Sequence, residues 1–223
     1  MREIVFDTET TGLDPAVGHR VVEIGCVELL NHMPTGETRQ WYLNPQRDMP
    51  EEAFRVHGLS EDFLADKPLF AAVVEDFLEF VGGAVLVAHN ASFDMRFINA
   101  ELAALDRPNL PKDKVLDTIA LARRKLPGGQ YSLNALCRRF DIDLADRGKH
   151  GALLDAELLA DVYLELIGGR QPGLVLASKN KGTASMEAAD RGARTPRPHA
   201  PPVEEETAHR AFVAKMDDPI WNK

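Results

Sequence analysis

The chain has 223 residues, with 26 Lys and Arg against 35 Asp and Glu and a formal net charge of −9. A hydrophobic fraction of 44% supplies an ordinary core and excludes wholesale disorder, and no apolar run approaches the roughly 18 residues that a membrane helix needs. The two cysteines, Cys26 and Cys137, are far apart and outside any CxxC pattern, which excludes a disulfide scaffold and a structural zinc site. Met1-Arg2-Glu3 leads straight into Ile4-Val5-Phe6-Asp7, unlike a signal peptide, so a reducing cytoplasm is the expected setting. Residues 1–169 carry 17 basic and 28 acidic side chains, and residues 170–223 carry 9 and 7. A body this acidic does not hold a long nucleic-acid duplex by its surface field. Action on nucleic acid would need metal ions at the contact point, a short substrate, or a partner that delivers it.

In chain order, residues 3–6 read as a short apolar strand, 21–30 (VVEIGCVELL) as a longer one and 39–43 (RQWYL) as a third. Their short connections predict hairpin-like pairing. Residues 69–81 have helical spacing and stop at Gly82-Gly83. The wholly apolar run 84–88 (AVLVA) predicts a central buried strand. Residues 92–105 are helical with one apolar face, with Ser92 as the expected cap. Another short strand is expected at 115–116, and helices at 118–125, 132–140 and 151–167. Three strands followed by alternating helices and strands predict an α/β domain with a mixed sheet flanked by helices.

The texture changes after residue 169. Residues 178–206 contain no Phe, Trp, Tyr, Leu or Ile, so they cannot bury enough to offset their ordering entropy. Residues 170–206 are therefore expected to be a flexible tail, and 207–223 a docking segment. That last segment regains Phe212, Val213, Met216, Ile220 and Trp221, yet seventeen residues cannot form a core of their own.

Three short motifs carry the chemistry. Asp7-Thr8-Glu9-Thr10-Thr11-Gly12 ends the first strand. Residues i and i+2 of a strand share a face, so Asp7 and Glu9 project together. Two adjacent carboxylates repel, and a hard divalent cation relieves them. Taken alone, D-x-E reads as the solvated polar end of a strand, because the pattern is common. His89-Asn90-Ala91-Ser92-Phe93-Asp94 follows the buried strand and places Asp94 in a helix's first turn, where it serves either a metal or the helix dipole. His89 reads as a structural hydrogen-bonding residue at the strand end. His150-Gly151-Ala152-Leu153-Leu154-Asp155 opens an amphipathic helix. Asp155 among leucines is costly unless it faces a cation or a partner.

The set D-x-E, N-x-x-F-D and H-x4-D, in this order and spacing, resembles the DEDDh class of 3′→5′ exonucleases across residues 1–168. Within that class, EEAFRVHGLS (residues 51–60) and the tail ending in Trp221 are similar to the proofreading subunits of bacterial DNA polymerase III. The resemblance implies an RNase H-like mixed sheet of five strands. It implies that Asp7, Glu9 and Asp155 bind one divalent cation, Mg²⁺ or Mn²⁺, and that Asp7 and Asp94 bind a second. It makes His150 the base that deprotonates the attacking water, and it places Glu52 and His57 on the terminal nucleotide. Thr10 and Leu13 match the segment packing on that nucleotide's sugar and base, and the metal-binding Asp7, Glu9 and Asp155 also meet the substrate. Asp117 matches a nearby acidic position outside the ligand set. Residues 171–176 (QPGLVL) resemble a peptide that binds the bacterial sliding clamp, and they also read as a fraying apolar end of the domain. Segment 207–223 would dock on the polymerase alpha subunit. A stand-alone DEDDh nuclease that trims RNA or short oligonucleotides is the alternative, but such an enzyme has no use for the linker and aromatic tail.

Overall fold

The computed structural model describes residues 1–144, 151–169 and 201–216. The chain divides into two compact units, 1–174 and 175–223. In the first, strand β1 (Arg2–Thr10) pairs antiparallel with β2 (Val21–Leu30), and β2 pairs antiparallel with β3 (Met33–Tyr42). Asn31 and His32, both at positive φ (51° and 69°), make the tight turn between β2 and β3. Helices α1 (Glu51–His57), α2 (Glu61–Leu64) and α3 (Phe70–Val81) lead to β4 (Val85–Ala88), which lies parallel to β1. Helix α4 (Ala91–Ala103) returns the chain to β5 (Val115–Asp117), parallel to β4. Helices α5 (Thr118–Lys125), α6 (Leu133–Arg139) and α7 (Ala152–Ile167) complete the unit. The sheet order is β3-β2-β1-β4-β5, the expected mixed five-stranded sheet.

Strand alternation divides the core. Ile4 and Phe6 join Ile24, Cys26 and the apolar faces of α3 and α4. Val5 joins Val27, Leu29, Val87 and the buried faces of α5, α6 and α7. The two faces of β1 therefore carry different partners, and this continues beyond its apolar part. Cys26 and Cys137 lie in separate cores and form no disulfide. Among the described residues no helix is long and apolar enough to cross a membrane.

In the first unit the structure differs from the sequence reading chiefly as follows. Strand β1 runs on to Thr10, because its polar end keeps the backbone ladder with β2 as far as Val21. Strand β3 begins at Met33 rather than residue 39. Residues 33–37 are exposed on the sheet edge, so no buried face imposes an apolar alternation there. Helices α1 and α2 are short and mostly exposed, which hides the helical period. Ser92 lies inside the first turn of α4 and does not cap it. The cap position is Asn90 at φ 65°, and the Ser92 hydroxyl donates to Asn90 Oδ1 at 3.3 Å.

In the second unit, helix α8 (Val203–Val213) starts before residue 207, with Pro202 ahead of it and Glu204, Glu205 and Glu206 favouring its positive end. Phe212 and Met216 are exposed. Residues 171–176 and the terminal Ile220 and Trp221 lie outside the described residues.

Candidate active site

Asp7 and Glu9 sit on the β1 face that holds Val5, the side on which α7 packs. Asp155 enters from the first turn of α7. One carboxylate oxygen from each of these three residues lies within 4.8 Å of the other two. Glu9 is 8% exposed and Asp155 4%. Three acids so close and so poorly solvated repel one another, and an all-oxygen donor set suits a hard divalent cation. The expected trio is thus brought together from positions 148 residues apart in the chain.

Asp94 arrives from the other side of the sheet. Thr8, between the two acids, faces α4, and it holds Asp94 Oδ1 through its amide (3.1 Å) and its hydroxyl (2.6 Å). Asp94 and the trio line one cleft of about 430 Å³. Burial pushes the Asp94 carboxyl up to about 7, against the opposing Thr8 hydrogen bonds, with the charge of Asp117 adding to the rise. Asp117 itself caps α5, accepting from the Ile119 amide at 2.8 Å. His89 lines the cleft too. The Thr118 hydroxyl donates to the Ala88 carbonyl (3.2 Å) and so accepts from His89 Nδ1–H (2.9 Å), a hydrogen-bonding role at the strand end. His150 lies outside the described residues.

A second, more apolar slot of about 460 Å³ adjoins the cleft and shares Thr8, Glu9 and Phe93 with it. Thr10, Leu13, Glu52 and His57 all line this slot. Leu13 is 78% exposed, an apolar side chain held out at its rim. The Leu59 amide donates to His57 Nδ1 at 3.0 Å, so the neutral ring carries its proton on Nε2. The loop bearing Thr10 and Leu13 is fixed from outside. Arg20 makes a two-pronged ion pair with buried Glu101 of α4 (2.6 and 2.7 Å), and Arg47 donates to the Gly18 carbonyl at 2.7 Å. The arrangement offers an acidic cleft with an oxygen donor set suited to a cation, beside a slot with apolar walls and a few polar contacts.

A protein-family model described as Exonuclease (RNase_T) matches residues 4–163. The chain belongs to this exonuclease family. Within the family it is 46% identical over 222 residues to the DNA polymerase III subunit epsilon of Rickettsia conorii, covering 97% of this chain and 96% of that one. It is 48% identical over 177 residues to the Escherichia coli K12 subunit of the same name, covering 76% and 72%. It belongs with the proteins named DNA polymerase III subunit epsilon. Among solved structures, exonuclease X in complex with 5′ overhanging duplex DNA is 30% identical, with TM-score 0.58 over 74% of this chain and 90% of that one. The nuclease domain of 3′hExo, a DEDDh family member bound to rAMP, shares the fold at 18% identity, with TM-score 0.65 over 74% and 91%. Membership of the exonuclease family implies dependence on divalent metal, in keeping with the acid trio.

Sequence reasoning missed several residues of the cleft and slot. Val17, Val56 and Phe93 help wall the slot, but they come from three separate segments. Thr8 had a signal, since the alternation that puts Asp7 and Glu9 on one face puts Thr8 on the other. Glu23, a buried carboxylate flanked by the apolar Val22 and Ile24 of β2, had one too. Burial raises its pKa against hydrogen bonds from Gln40 and from the Ala152 and Leu153 amides.

The raised Asp94 carboxyl gives a pH prediction. An ordinary Asp titrates at about 3.9 when unfolded. A folded value near 7 means the native state holds its proton longer. The burden on the metal-free fold is absent below about pH 4, grows as pH rises toward 7 and is complete above it. Denaturation in EDTA should therefore show wild type losing stability over that range more steeply than Asp94→Asn. Equal slopes would contradict the burden.

Proposed function

We propose that this chain removes mismatched nucleotides from DNA 3′ ends by metal-dependent phosphodiester hydrolysis, as the proofreading subunit of a replicative DNA polymerase in the cytoplasm. The observation that carries the reading is the clustering of Asp7, Glu9 and Asp155 within 4.8 Å. The adjoining slot and the epsilon-named relatives support it. Asp7, Glu9 and Asp155 would hold one divalent cation, and Asp7 and Asp94 a second, with Mg²⁺ or Mn²⁺ suited to their oxygen donors. When bound, such a pair supplies the positive charge that stabilises the attacking and leaving oxygens of an in-line displacement.

The chain's own groups do the rest. Thr10 and Leu13 seat the sugar and base of the terminal nucleotide. Glu52 offers an acceptor, and His57 a donor at Nε2. Thr8 keeps Asp94 turned to the cleft. The His150 imidazole takes the proton of the attacking water, a role suited to histidine, whose unperturbed side chain titrates at about 6.5. The bond to the penultimate 3′ oxygen breaks, and a nucleoside 5′-monophosphate leaves. A cleft that takes only a frayed end has no need of a long basic groove.

The test is release of the terminal nucleotide from a 3′-mismatched DNA primer with Mg²⁺ and with EDTA. Metal-dependent release faster than from a matched duplex is expected. Release indifferent to EDTA, or confined to RNA, would contradict the reading.

Segment 207–223 would dock on the polymerase alpha subunit, presenting Phe212, Met216 and Trp221 as apolar anchors, and residues 171–176 would engage the sliding clamp. Deleting 207–223 should leave hydrolysis of free single strands intact and abolish co-elution with the alpha subunit. Unchanged co-elution would refute the docking role.

A further inference from the structure

Helix α7 begins without a cap of its own. Its cap position is Gly151, which has no side chain to accept from the first-turn amides. A helix leaves its first four amides without intrahelical partners, and a buried helix start must find acceptors elsewhere. Here they come from the sheet. Glu23 of β2 is 1% exposed, stands opposite Glu9 in the β1–β2 ladder, and accepts from the amides of Ala152 and Leu153. Gln40 of β3 steadies the carboxylate from the other side, Nε2 donating to Glu23 Oε1 at 2.7 Å.

Gly25, two residues along the same strand face, lets the helix come this close. A Cβ there would lie 2.2 Å from the Leu153 nitrogen. The first turn of α7 is thus clamped to β2 by a charged cap and a missing side chain. Asp155 lies two positions beyond Leu153 in that turn, its amide bonded to the Gly151 carbonyl at 2.9 Å. Moving the turn therefore moves the Asp155 carboxylate relative to Asp7 and Glu9.

We propose that Glu23 is a positioning residue for cation binding: by capping α7 across the sheet it sets the Asp155 carboxylate beside Asp7 and Glu9. The inference rests on the reading that Asp155 holds a cation. Glu23 acts through hydrogen bonds from the Ala152 and Leu153 amides, and its negative charge is incidental to that role. Glutamine at this position keeps the acceptor oxygen and loses the charge. Methionine fills the same space with no acceptor for the amides, and alanine removes both.

The experiment is Mn²⁺ titration of the full chain, followed by electron paramagnetic resonance, with amide exchange read at residues 152 and 153. Glu23→Met should weaken Mn²⁺ binding by about 10–100-fold, the usual consequence of losing a group that orients a ligand, and should expose both amides to exchange. Glu23→Ala is read in its place if the methionine chain does not fold. Glu23→Gln should restore protection and most of the affinity. Wild-type affinity in the Met or Ala chain overturns the proposal. So does a glutamine chain that binds as weakly as the methionine chain, since charge would then be the cause. Failure of both Met and Ala chains to fold assigns Glu23 to general stability and also overturns it. A wild-type chain that binds no Mn²⁺ would instead defeat the metal-site reading itself.

Discussion

Asp7→Asn is expected to reduce exonuclease turnover to assay background while leaving the metal-free chain at least as heat-stable as wild type. Asp7 is the residue assigned to both cations, so its loss disables both. The same change removes one of three carboxylates packed within 4.8 Å, two of them almost wholly buried. Relieving that repulsion stabilises the fold when no cation is present. Each kcal/mol so gained raises the melting temperature by about 2–4 °C in a chain of this size. Melting curves in EDTA, paired with the primer assay, check both halves. A variant melting several degrees lower, or one that keeps measurable turnover, would contradict the account.

His150→Ala is expected to slow turnover by about 10²–10⁴-fold, the usual size of a general-base contribution. The sequence places this residue one position before the cap of α7. A base works only once deprotonated, so the wild-type rate should rise with pH through the imidazole range, and the variant should lose that rising limb. Single-turnover rates across neutral pH separate the outcomes. Rates close to wild type throughout would mean that another group takes the proton.

Local rules place the acids but leave their role open, and only the resemblance of the three motifs together joins them as a set. Strand alternation alone puts Asp7 and Glu9 on one face, and an acid in the first turn of a helix reads directly from the positions of Asp94 and Asp155. Strand β2 and helix α5 have the same bounds in sequence and structure, since each is a sharply bounded apolar or helical run. What stayed hidden are the partnerships made over long separations. Thr8 meets Asp94 across 86 positions, and Glu23 meets the start of α7 across 129. No local pattern encodes a pairing at that range. Glu23 was visible as an acid between the apolar Val22 and Ile24, but its partner was not. Helices α1 and α2 escaped for another reason: each is too short and too exposed to show a helical stripe, although α1 supplies Glu52 and His57 to the slot.

A crystal of the protein equilibrated with Mn²⁺ and recorded at the manganese absorption edge would locate the cations by their anomalous scattering. Two peaks are expected in the cleft, one touching Asp7, Glu9 and Asp155 and the other touching Asp7 and Asp94. Manganese found only elsewhere on the surface, or a cleft left empty at saturating Mn²⁺, would contradict the assignment of these four acids to phosphodiester hydrolysis.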